Sequence, residues 1–205
     1  MRENFRIGEK LSEHLRTRDE QGDMIGFNED LVSGILAKGD QGELKDLLIF
    51  WQENGWQITD KEIEIFSYYQ KLRQQVHKDR EGAFKKRKTD APEKTEEELL
   101  LGCYLEELEP QVRQAVLGLN VKGYKTQGSG FGPENIQKIY CADEQFAAVK
   151  FSNDLLSELK VQSVDLEVKP KSITLCLNKK LSLNEVRNIW KKIEEQVKPK
   201  SKLLT

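Results

Sequence analysis

The hydrophobic rhythm of this chain changes near Gly123. Upstream, apolar residues recur every three to four positions, as in Leu44, Leu47, Leu48 and Trp51, in Ile65, Phe66, Tyr69, Leu72 and Val76, and in Val112, Ala115, Val116 and Leu119. Downstream they alternate, as in Val164, Leu166 and Val168 and again in Ile173, Leu175 and Leu177. A period near 3.6 buries one stripe of a helix, and a period of 2 buries one face of a strand. The chain is therefore expected to be α+β, with an N-terminal helical module followed by a small antiparallel sheet that carries helices packed on one face.

Helix starts sharpen this division. Asp40 with Glu43, Thr59 with Glu62, Thr95 with Glu98 and Ser182 with Glu185 each place a side-chain acceptor three residues before a carboxylate, the pattern that satisfies free N–H groups at a helix N-terminus. The first two, separated by a turn at Asn54-Gly55, predict an αα-hairpin over 41–80 within a helical module spanning 1–80. Shorter helices are expected after Asn28 and around Ile7, Leu11 and Leu15. Residues 81–94, with Gly82, Lys85-Lys86-Arg87-Lys88 and Pro92, offer little to bury and read as a flexible basic linker. An α+β domain is expected over 95–198, with 199–205 as a tail. Its helices are placed from Thr95 through Leu108, after Pro110, over Ser152–Lys160 and after Ser182, where Leu181 can staple to Val186. Its strands are placed at Tyr124–Gln127, Ile136–Cys141 and Phe146–Phe151, the last as a strand or irregular edge, and in a hairpin that turns at Lys169-Pro170-Lys171-Ser172.

Charge is unevenly distributed under a formal net of −2. The nets are −4 over 1–80, +2 over 81–95, −5 over 96–120 and +5 over 121–205. That pattern is compatible with intramolecular docking, a polyanion partner or an ordinary solvated surface. No apolar run approaches the roughly 18 residues that span a bilayer, and the first ten residues are too charged for a secretory signal. Cys103, Cys141 and Cys176 form no CxxC pair. A soluble, cytoplasmic protein in a reducing compartment is expected.

The segment Thr126-Gln127-Gly128-Ser129-Gly130-Phe131-Gly132 is the principal candidate site. Alternating glycines let backbone N–H groups converge on an anion, and Lys125, Thr126, Gly128, Ser129, Gly130 and Gly132 are the residues that could hold one. The segment lacks the Lys-Ser/Thr pair of a phosphate loop and the spacing of a dinucleotide fingerprint. Against that reading stands the simpler one, a glycine-rich hairpin or bulge loop. Gly-Ser-Gly is not a nucleophile elbow. Trp56, beside the Asn-Gly turn, is the candidate partner-binding aromatic.

His14 and His77 are expected on polar helix surfaces, and Glu106, Glu107 and Glu109 on a solvated face. Cys141 and Cys176 are expected in the core. No cofactor or metal spacing is evident. The chain thus reads as a non-catalytic binding or regulatory protein, its helical half engaging a protein partner and its α+β domain supporting or sensing a ligand. The alternative is a nucleic-acid-associated protein or enzyme contacting phosphates through Gly128–Gly132 and a basic C-terminal surface.

Overall fold

The computed structural model describes residues 16–18, 24–27, 59–132 and 135–200. Two compact units emerge, residues 1–71 and 72–205. In the first, β1 (Arg16–Arg18) pairs antiparallel with β2 (Met24–Phe27), a strand pair that helical periodicity did not suggest. The first helix of the expected hairpin, the helix after Asn28 and Trp56 lie outside the described residues.

Helix α1 (Asp60–Thr89) begins at the Thr59/Glu62 pair, where the Thr59 N–H donates to Glu62 Oε2 at 2.8 Å. It runs 30 residues, across the division between the units. The expected linker is thus corrected: 81–89 is helix, and only the stretch from Asp90 to Thr95 is irregular. Lys, Arg and Glu are good helix formers, and Lys86, Arg87 and Lys88 complement the partial negative charge of the last turn. The low apolar content that suggests a flexible linker is equally the composition of an exposed helical face.

In the second unit, α2 (Glu96–Leu101) opens on the full Thr95/Glu98 capping box and stops at Gly102, which adopts φ +76°. The helix expected to continue through Leu108 therefore ends early, because the left-handed glycine closes it. A 3-10 turn follows at Leu105–Glu107. Helix α3 (Arg113–Val121) buries Ala115, Val116 and Leu119 and gives way at Gly123, φ +90°.

Four strands then form one antiparallel sheet, β3 (Thr126–Phe131), β4 (Ile136–Cys141), β5 (Val164–Lys169) and β6 (Ser172–Leu177), in the order β3-β4-β6-β5. Helix α4 (Asn153–Val161) packs against β5, α3 against β3, and both against α5 (Leu183–Gln196). The segment around Phe146 is a turn, correcting the strand expected there. Phe146 is buried and stacks on Tyr124, with ring centroids 5.3 Å apart.

Register sets the core face. Gln137 and Ile139 of β4 stand opposite Leu175 and Ile173 of β6, and these face Leu166 and Val168 of β5. Ile139, Ile173, Leu175, Leu177, Trp190 and Phe146 are essentially inaccessible. The Ser182/Glu185 box starts α5, whose Val186, Ile189, Trp190 and Ile193 complete that core, with Leu181 buried beside them. Gly118 marks the close crossing of α3 and α5: a Cβ there would lie 2.4 Å from Glu194 Oε1, which pairs with Lys122 Nζ at 2.7 Å. Among the described residues, no helix is long and apolar enough to cross a membrane.

Candidate functional site: a buried carboxylate at the sheet edge

In α1, Arg73, His77, Arg80 and Arg87 recur at three-, four- and seven-residue spacing and so share one face. The Arg87 guanidinium lies over the Tyr104 ring, 4.4 Å from its centroid, and pairs with Glu106 at 3.0 Å. Two turns earlier the same face meets Glu109, whose side chain is 2% exposed. Glu109 Oε1 stands 3.5 Å from His77 Nε2 and 3.7 Å from Arg80 Nη1.

The other carboxylate oxygen faces the sheet. Glu109 Oε2 accepts the backbone N–H of Phe131 at 2.9 Å and Gln111 Nε2 at 2.6 Å. Gln111 Nε2 also reaches Gln137 Oε1 at 3.3 Å, tying the cluster to β4. Pro110 follows Glu109 directly and turns the chain towards α3, so Glu109 sits at a bend rather than on the solvated helix face expected for it.

The glycine segment acquires its explanation here. Residues 126–131 are the edge strand β3 rather than a loop, with a register irregularity between Thr126 and Gly128. Gly130 has φ +118°, and a Cβ on it would fall 2.3 Å from Glu109 Cδ. Only glycine fits both the backbone angle and the space. Gly128 lies under Tyr140, where a Cβ would come within 2.3 Å of the ring.

Three of the other candidate residues make hydrogen bonds within the fold. Thr126 Oγ1 accepts from Asn120 Nδ2 at 2.8 Å, the Lys125 N–H donates to Gln145 Oε1 at 2.8 Å, and the Gly132 N–H donates to the Ile136 carbonyl at 2.9 Å. Ser129 pairs across the sheet with Ile139. The Phe131 N–H, next to Gly130, donates to the protein's own Glu109 carboxylate.

Electrostatics follow from burial. Desolvation is the main influence lowering the His77 imidazole below its ordinary value, and Arg73 acts in the same direction, while Glu109 opposes both. Burial likewise lowers the Arg73 guanidinium, again opposed by Glu109. His77 is thus neutral at pH 7, between two cations and a carboxylate. Gln111 Oε1, Gln137 Nε2 and the Nε atoms of Arg73 and Arg80 are buried without hydrogen-bond partners, so the network carries a desolvation cost.

Cys141 is buried and pushed up to about 11 by that burial, which makes it a poor nucleophile at neutral pH. Among the described residues, no group of three His, Cys, Asp or Glu is arranged to hold a metal ion. Sequence reasoning missed Glu109 because it follows two other glutamates. The signal that could have found it is the pair of cations Arg73 and Arg80 on one helix face with His77 between them, which needs a buried counter-charge if it faces inward. No protein-family model, curated protein or solved structure matches this chain.

Proposed function

We propose that the protein is a non-catalytic binding or regulatory protein, in which residues 1–71 engage a protein partner and the α+β unit controls α1 through the Glu109 cluster. The observation that carries this reading is the full commitment of Glu109 inside the fold. A general acid or base must reach a proton on a substrate within hydrogen-bond distance, whereas both oxygens of Glu109 are spent on Phe131, Gln111, His77 and Arg80. A carboxylate so placed fastens α1 to the edge of β3. A fastening made of titratable and incompletely satisfied groups is one that binding can loosen or tighten at modest cost.

Two measurements on the full chain test the reading. Amide hydrogen exchange of Glu109→Gln against the wild type should lose protection together at Phe131 and across 73–80 of α1. Turnover of p-nitrophenyl phosphate or p-nitrophenyl acetate that vanishes in Glu109→Gln and His77→Gln would overturn the non-catalytic assignment. Loss of protection confined to Phe131 would overturn the control of α1.

A further inference from the structure

Opposite its packed stripe, α1 presents Lys78, Lys85, Lys86 and Lys88, all exposed and with no hydrogen bond or ion pair at their ammonium groups among the described residues. At 100° per residue, Lys78 and Lys85 fall on one line of the helix, with Lys86 and Lys88 to either side. Gly82 lies between them, and nothing stands within 4 Å of where its Cβ would be. We infer that this face of α1 is a binding surface for the phosphodiester backbone of a nucleic-acid duplex, a function separate from the partner engagement and control proposed above.

Three features support that ligand. Cations in the last turn are explained by the helix dipole, but Lys78 and Lys85 lie further back, where its influence has faded. The arginines of α1 are consumed inward, Arg80 by Glu109 and Arg87 by Glu106, which leaves four lysines, with Asp79 and Glu81 exposed beside them, as flexible point charges suited to phosphate contacts without base readout. From Lys78 to Lys88 the helix advances about 15 Å, a length over which a duplex offers roughly nine phosphates.

An acidic membrane is the competing surface. A helix lying on a membrane needs an apolar face to insert, whereas among the described residues of α1 the exposed large apolar side chain is Phe84 alone, 42% exposed and about 120° round the helix from Lys78, with the Arg80 guanidinium 5.8 Å from its ring centroid.

The test is fluorescence anisotropy of the full-length protein with a labelled 20-base-pair duplex, in DNA and RNA arms, over a series of salt concentrations. Binding should weaken with a log–log salt slope of about −3 to −4, near −0.9 per phosphate contact. Replacing the four lysines by glutamine should reduce affinity at low salt at least tenfold and flatten the slope, while replacing all four by arginine should preserve both. Circular dichroism confirms that each variant keeps α1. Absence of wild-type binding to either duplex, glutamine variants that bind as the wild type does, or binding only to vesicles containing phosphatidylserine would each overturn the inference.

Discussion

The backbone N–H of Phe131, on the edge strand β3, donates to a Glu109 oxygen at 2.9 Å, across 22 residues of sequence. One buried side chain thereby caps a sheet edge and neutralises part of a helix's inward cationic stripe. Removing its charge should be costly. Glu109→Gln is expected to destabilise the unit by about 2–3 kcal/mol, below the full penalty for a broken buried pair because His77 and Arg80 are partly exposed. Urea denaturation followed by circular dichroism measures it, and an unchanged midpoint would refute the prediction.

Two glycines should respond to alanine in opposite directions. At Gly130 the added methyl meets the Glu109 carboxylate and the backbone holds φ +118°, so Gly130→Ala should cost about 1–3 kcal/mol or more. At Gly82, inside α1, the methyl meets nothing. Gly82→Ala should therefore stabilise by about 0.5–1 kcal/mol through helix propensity. Thermal unfolding of the two variants side by side would expose an error in either sign.

Acidification should weaken the fold through His77. Its folded-state value lies below the ordinary 6.5, so the unfolded chain takes up the proton first. The stability that His77 contributes is complete above about pH 6.5 and declines as pH falls towards its folded value. Arg73, Arg80 and Glu109 are the charged groups facing it. His77→Gln should flatten the stability profile just below pH 6.5, and an equally steep profile in that variant would show that another group is responsible.

Helix capping supplies an independent check. Ser182 Oγ accepts the Glu185 N–H at 3.3 Å, and Glu185 Oε2 accepts the Ser182 N–H at 2.7 Å. Ser182→Ala should cost about 1 kcal/mol, read as a lower unfolding temperature. No loss would mean that α5 is held by Trp190 and its neighbours alone.

What could be read in the sequence was local. The boxes at Thr59, Thr95 and Ser182, the hairpin from Val164 to Leu177 and the change of period after Gly123 each depend on residues a few positions apart, and each is realised. The extent of α1 was misread, because Lys85 to Lys88 carry no apolar stripe and only their continuity with the preceding turns makes them helical. Glu109 was out of reach for a different reason. Its partners lie at 77, 80, 111 and 131, brought together by the packing of a helix on a sheet edge, and no periodicity within one element encodes that meeting. The glycines were legible as backbone that could approach an anion or form a bulge, and at Gly130 the missing side chain makes room for the chain's own Glu109.

The account turns on Glu109 acting as a fastening between α1 and β3, and a double-mutant cycle between Arg80→Gln and Glu109→Gln, measured by urea unfolding, addresses it directly. The two losses should be less than additive, with a coupling of about 1 kcal/mol. Additive losses, or a Glu109→Gln variant more stable than the wild type, would contradict the account and mark Glu109 as a residue kept for something other than holding the fold together.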